Sequence, residues 1–260
     1  MTQKSVIILA GTRPGGDPLA KEFGVPGKVF IPLNGEPMLG YVVRQFLDRS
    51  DIESIHIVTQ LGPILRDDAS MAWIAEDSRV QIHPSLPSIA ASLRQLFKSG
   101  IVEFPALVTT GDNALIDSQM IDQIFSESGD CDVGIGLVEK RVLLAKYPES
   151  KRTWLKLRGG QYSGANLFYL GSAKALEMIE LWARVEQDRK KGWKIFTLFG
   201  PVLLFLAVTR QISLNGLGKK LSRKFDLKIS ATPLDQAEAC MDVDKAEDVE
   251  IAERVLKSRS

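Results

Sequence analysis

The chain predicts an α/β fold three layers deep, a mostly parallel sheet with helices on both faces. Three observations lead there. Strand-like and helix-like segments alternate through the first half of the 260 residues, the arrangement that builds parallel sheets. The runs Val6–Leu9 and Ala106–Thr110 are almost wholly apolar or β-branched, as strands buried on both faces are. Both runs open into glycine turns, at Ala10–Gly16 and Gly111–Asn113. Ligands of such sheets sit outside the carboxyl ends of the strands, so the two turns are expected to converge on one crevice.

Each element has its own signal. Val6–Leu9 is the first strand, and Met38–Arg49 follows as a helix with Leu39, Val42, Val43, Phe46 and Leu47 along one face. Ser54–Thr59 reads as a second strand, Met71–Ala75 as a helix and Arg79–Ile82 as a third strand. Ser88, after Pro87, suits the N-cap of a helix that runs to Phe97. Ala106–Thr110 is a central fourth strand, Asp117–Phe125 a helix, and Cys131–Val138 another strand. From about Arg141 the rhythm changes. Thr153–Leu157, then Arg158–Gln161, then Ala165–Tyr169 read as strand, turn, strand. Ala173–Arg189 is a long amphipathic helix, and the chain closes with Cys240–Asp244 and a helix over Ala246–Leu256.

Composition narrows the function. Lys+Arg 33 against Asp+Glu 32 leaves a net charge of +1, which gives no general attraction for nucleic acid. An anionic ligand must be held by local charge. Cys131 and Cys240 stand far apart, so neither a disulfide framework nor a cysteine zinc site is expected. Met1–Lys4 leads into a strand too short for a signal-peptide core, and a cytoplasmic protein is expected. The most apolar stretch is Phe196–Thr209. As a helix it would cover roughly 21 Å, short of a hydrocarbon core roughly 30 Å thick. It reads as a buried helix. The competing reading is a peripheral membrane contact over residues 196–228, supported by Lys219, Lys220, Arg223, Lys224 and Lys228.

The first loop carries chemistry. Glycines let a backbone approach a ligand, and successive free N–H groups can cradle phosphate oxygens. Arg13 and Lys28 add positive charge to the Ala10–Gly16 loop. The spacing is neither that of the dinucleotide fingerprint nor that of the Walker loop, because Lys28 is followed by Val29. The plainer readings are a solvated Lys28, a turn residue at Asp112, and capping acids at Asp242 and Asp244. His56 and His83 read as structural, and no histidine-based triad is expected.

Together the motifs resemble a known family. Leu9-Ala10-Gly11, Arg13, Pro26-Gly27-Lys28 and Pro32-Leu33-Asn34-Gly35-Glu36-Pro37-Met38-Leu39 resemble the signature of the glycosyltransferase-A-like nucleotidyltransferases. That group includes molybdenum cofactor guanylyltransferases, methylerythritol phosphate cytidylyltransferases and sugar-phosphate nucleotidyltransferases. Thr12 replaces the usual second glycine, and the span from Arg13 to Lys28 is longer than the family norm. Ser88–Leu93 is similar to the family's helix start near the base. Thr109-Thr110-Gly111-Asp112 is similar to its metal-binding strand end, and Met241–Asp248 to its closing acidic segment.

The resemblance implies a Rossmann-like three-layer sandwich with a mostly parallel, mixed central sheet. It implies one nucleotidyltransferase domain over residues 1–260, with a helical, partly basic insertion near 182–232. The implied reaction moves a nucleoside monophosphate to a phosphorylated alcohol or sugar and releases pyrophosphate. CTP is the favoured nucleoside triphosphate, on the lipid-side reading of Phe196–Lys228. Arg13, Lys28 and Asp112 would be catalytic. Leu9, Ala10, Gly11, Thr12, Ser88 and Gly111 would join Arg13 and Lys28 on the nucleotide. Arg158, Gly164 and Asn166 would meet the acceptor, a phosphorylated small molecule. Asp112 and Asp244, with Asp242 as the alternative on the same face, would hold Mg²⁺ (or Mn²⁺). Two carboxylates about 4 Å apart repel by roughly 4 kcal/mol at an effective dielectric near 20 without a cation. The rival readings are molybdopterin guanylyl or cytidylyl transfer, a nucleotide-sugar glycosyltransferase, and a non-catalytic nucleotide-binding protein. The segment Asp112-Asn113-Ala114 weakens the glycosyltransferase, which needs Asp-x-Asp there and here has Ala114 in the place of the second Asp.

Overall fold

The structure, a computed structural model, describes residues 3–12, 15–187, 205–206 and 208–259. Its main sheet is built from β1 (Lys4–Leu9), β4 (Ile52–Thr59), β5 (Val80–Pro84), β6 (Ala106–Thr110), β7 (Val133–Glu139), β8 (Leu155–Leu157), β9 (Gly160–Leu170) and β10 (Ile229–Leu234). The order across it is β10-β7-β9-β6-β1-β4-β5, with β8 paired on β9. β1 is parallel to β4 and β6, β4 to β5, and β7 to β10. Only β9 runs against its neighbours among the described residues, antiparallel to β6, β7 and β8. The sheet is therefore mostly parallel and mixed. A short hairpin, β2 (Pro32–Leu33) with β3 (Glu36–Pro37), stands apart.

Alternation along β1 creates the layers. Val6 and Ile8 enter one buried cluster and Ile7 the other, as the two-residue period of a strand requires. The first cluster packs α2 (Met38–Leu47), α6 (Ser118–Ser128) and α10 (Ala246–Arg259) on one face. The second packs α5 (Ile89–Lys98) and α8 (Ala175–Gln187) on the other. Ser88 caps α5 by accepting the Ala91 N–H at 3.1 Å. Asp117 caps α6 by accepting the Met120 N–H at 3.0 Å.

Several expectations change. The turn expected over Arg158–Gln161 is only Arg158-Gly159, because Leu157 already pairs with Gly160. This is a two-residue hairpin loop, with Gly159 at φ 92°. The third strand, expected over Arg79–Ile82, runs on through His83 to Pro84 as β5. The helix read at Met71–Ala75 is α4, one residue later at Ala72–Glu76, and three short helices carried too little periodicity to be read: α1 (Pro18–Glu22), α3 (Gly62–Asp67) and α7 (Lys140–Lys146). A longer one, α9 (Leu214–Phe225), lies in the stretch expected to be a helical, partly basic insertion near 182–232, but its own bounds were not read. Arg13 and most of Phe196–Thr209 lie outside the described residues. Within that stretch Phe205 and Val208 are 59% and 70% exposed. Among the described residues no helix is long and apolar enough to cross a membrane.

A histidine pair gives the fold a pH signature. His56 is fully buried on β4, and its ring nitrogens meet Ser54 Oγ at 2.9 Å and His83 Nε2 at 3.0 Å. Burial first, and then the charge of His83, hold its pKa down at about 4 against an ordinary 6.5. The unfolded chain thus binds a proton that the folded chain refuses. Stability from this site is present above pH 6.5 and is lost as pH falls toward about 4. His56→Gln should flatten the acid limb of a urea-unfolding profile, removing a loss of at most about 3 kcal/mol. An unaltered acid limb would show that the pair does not titrate in this window.

Candidate functional site

The ends of the parallel strands form the site. Ala10 N–H donates to Val58 O and Gly111 N–H to Leu9 O, both at 2.9 Å, so the ends of β1, β4 and β6 lie abreast. Gln60, just past β4, ties the glycine turn down. Its Oε1 accepts the Thr12 N–H at 2.9 Å, and its Nε2 donates to Thr12 O and Ser85 Oγ, each at 3.3 Å. A Cβ at Gly11 would come within 3.2 Å of Gln60 Oε1 and 3.3 Å of Ser85 Oγ, so a larger residue there would push on the side chains that hold the turn. The expected row of free donors is shortened, because the N–H groups of Ala10 and Thr12 are already spent. Ser88 likewise uses its hydroxyl on α5. Arg13 lies outside the described residues.

Three acids meet beside this turn. Asp112 follows β6, and Val243 N–H donates to Asp112 O at 3.2 Å, which draws the closing segment onto the strand end. One carboxylate oxygen from each of Asp112, Asp242 and Asp244 lies within 4.8 Å of the others. Asp242 thus joins Asp244 where one of the two was expected. Lys28 enters the cluster from a short 3-10 turn, Lys28–Phe30. Its Nζ donates to Asp112 Oδ2 at 2.6 Å and to Asp244 Oδ1. Only 13% of the Lys28 side chain is exposed. Burial pulls the Lys28 pKa down, but Asp112 and Asp244 outweigh it and the net shift is upward. Burial first, then the charges of Asp244 and Asp112, push Asp242 up to about 6.

Arg152 and Asp248 fix the closing segment. Arg152 donates to Asp242 Oδ1 at 2.6 Å and to Asp248 Oδ1 at 3.1 Å. Asp248 Oδ2 accepts the N–H groups of Asp244 and Lys245, each at 3.1 Å. Asn166, with left-handed backbone at φ 50°, brings Nδ2 to 3.5 Å from Asp242 Oδ2. Asn113 turns inward instead, its amide donating to Thr109 Oγ1 and Ala165 O at 3.3 Å each.

The acids suit a hard divalent cation. Three carboxylates supply oxygen donors, and Asp112 Oδ1 is buried with no hydrogen-bond partner. Beside them a cavity of about 1070 Å³ is lined by Arg152, Tyr162, Gly164, Asn166, Asp242 and Asp244, among others. Gly164 and Asn166 are therefore brought to the acids, and Arg158 is not. Arg158 sits at the β8–β9 turn and lines a different cleft, with Lys219 and Arg223. Gln60, Ser85 and Arg152 were missed from sequence, where each is one polar residue with no pattern around it. Asp248 stood inside a motif but had no role.

No protein-family model matches the chain, and no curated protein matches it. Solved structures do. A hypothetical transferase from Thermus thermophilus superposes with a TM-score of 0.78 at 23% identity, covering 96% of this chain and 100% of the other. CMP:2-keto-3-deoxy-manno-octonic acid synthetase, complexed with CTP, gives 0.62 at 10% identity over 100% of both chains. The 4-diphosphocytidyl-2C-methyl-D-erythritol synthase of Anaerococcus prevotii gives 0.60 at 12% identity, over 98% of this chain and 99% of that one. The chain thus has the Rossmann-like fold of the nucleotidyltransferases that its motifs resemble.

Removing the buried ammonium isolates its role. Lys28→Met leaves three crowded carboxylates without it. In urea unfolding at neutral pH the ion-free variant should lose on the order of 3 kcal/mol. The deficit should shrink as pH falls, because Asp242, already raised to about 6 beside Lys28, is raised further without it and takes up a proton. Wild-type stability in this variant would mean that Lys28 does not neutralise the acids.

Proposed function

We propose that the chain is a nucleotidyltransferase that moves a nucleoside monophosphate, CMP from CTP in the favoured case, onto a phosphorylated small alcohol or sugar. One observation carries the reading. Lys28 and the three acids converge at the carboxyl ends of the parallel strands, between the glycine turn and an open cavity. The likeness to two synthetases whose names carry a cytidylyl group supports CTP. The whole chain, including residues 182–232, is read as one such unit.

In this reading an acceptor phosphate oxygen bonds to the α-phosphorus. The bond from that phosphorus to the bridging oxygen breaks, and pyrophosphate leaves with the electron pair. Two anions must approach, so the work of the protein is positioning and charge compensation. A divalent cation, Mg²⁺ or Mn²⁺, held by Asp112, Asp242 and Asp244 would offset that repulsion when bound. Lys28 is placed to turn from the acids toward the phosphates, and Arg13, which lies outside the described residues, is read as the second cation for the triphosphate. Gly11 and Gly111 are read as nucleotide-binding positions at the strand ends through their backbone, since the side-chain space at Gly111 is taken by Val29, Ala10 and Leu39. Arg152 positions Asp242, and Asn166 and Gly164 line the acceptor side. The nucleotide-sugar glycosyltransferase reading fits less well, because Ala114 stands where its Asp-x-Asp would place the second carboxylate.

Pyrophosphate release tests this, with each of CTP, GTP, ATP and UTP offered against phosphorylated acceptors in the presence of Mg²⁺. CTP should be the productive donor. Asp112→Asn should fold as the wild type does and lower kcat by about a hundredfold or more. Wild-type turnover in that variant would remove Asp112 from the chemistry.

A further inference from the structure

The basic segment that the catalytic reading leaves unused has a definite form. α9 carries Lys219, Lys220, Arg223 and Lys224 and holds no acid from Leu214 to Phe225. Between Arg210 and Lys228 six cations face one acid, Asp226, on a chain whose net charge is only +1. That acid is taken up by Lys174 at 3.4 Å. All four α9 cations are exposed, and none is in an ion pair among the described residues.

The inner side of the same unit is apolar. Leu206, Leu214, Leu217 and Leu221 pack around Leu157 and Ile212. This satellite cluster turns the cations of α9 outward, since they occupy the remaining helix positions. Leu206 also seats the helical turn that precedes α9, closed by Thr209 N–H on Phe205 O at 2.9 Å. Its neighbours Phe205 and Val208 are left 59% and 70% exposed, the most exposed large apolar side chains among the described residues. Apolar side chains and unpaired cations therefore stand on adjoining parts of one small unit.

We infer that this unit docks on the surface of an anionic lipid bilayer. Phe205 and Val208 would enter the headgroup boundary, and the α9 cations would face lipid phosphates. The cleft of about 900 Å³ between the β8–β9 turn and α9 adds to the match, since Arg158, Lys219 and Arg223 line it. None of these three has an acid partner among the described residues. Tyr162 lines both this cleft and the cavity beside the acids, so the docked face adjoins the mouth of the site. Nucleic acid would meet the same cations, but it gives exposed Phe205 and Val208 nothing comparable to enter. The inference stands whether or not the chain transfers nucleotides.

Co-sedimentation of the full chain with vesicles tests it, using phosphatidylcholine alone or mixed with phosphatidylglycerol. Binding should require the anionic lipid and weaken as salt rises. Replacing Lys219, Lys220, Arg223 and Lys224 together by Gln should lower the bound fraction at least about tenfold. Phe205→Ser with Val208→Ser should remove the part that survives high salt. All six positions are exposed, so circular dichroism and Tm should stay those of the wild type; should the fourfold variant misfold, the salt series on the wild type decides. Equal binding to neutral vesicles, no binding to either kind, or retention of RNA without vesicle binding would each overturn the proposal.

Discussion

Carboxylates crowded at the end of a sheet repel each other unless a cation stands among them. Asp112, Asp242 and Asp244 are crowded in this way; Arg152 pairs with Asp242, and Lys28 is the cation that joins Asp112 to Asp244. The contact joins residues 84 and 216 positions apart in sequence. A single charge cluster thus draws the opening loop, the central strand and the closing segment to one point. The remaining geometry of the site follows from that convergence.

The mixed sheet supplies the open side. β9 runs against β6 and β7, and near the site it presents Gly164 and Asn166 toward the closing segment instead of a further parallel strand end. Arg152 then links Asp242 to Asp248, and Asp248 holds the backbone at Asp244 and Lys245. Two of the acids are therefore set by a clamp that itself touches neither Lys28 nor the glycine turn. Arg152 thus both positions Asp242 and offsets its charge, as Lys28 does for Asp112 and Asp244.

Much of this was readable in the residues, for physical reasons. β1 and β6 are apolar runs because both faces are covered, and a glycine or acid directly after such a run sits where ligands of this fold gather. Lys28 and Asp242–Asp244 were found through motif resemblance, since nothing in their spacing shows that they meet. β10 went unread because Pro233 argues against a strand interior. The sheet order shows the answer: β10 lies at its edge, where proline is tolerated. α9 was hidden by Gly216 and Gly218, yet Gly218 is buried against β10 and Ser213 caps the helix. Arg152 and Gln60 gain their roles only from tertiary contacts. Arg158 misled because a charged residue beside a turn looks alike whether or not that turn reaches the site.

The most direct test of the account is where a cation goes and where Lys28 moves. A crystal grown with Mn²⁺ and a non-hydrolysable CTP analogue should show an anomalous peak among the Asp112, Asp242 and Asp244 carboxylates. Lys28 Nζ should have left them for the triphosphate. A peak at other residues, or Lys28 still bound to Asp112 and Asp244 beside an occupied nucleotide site, would contradict it.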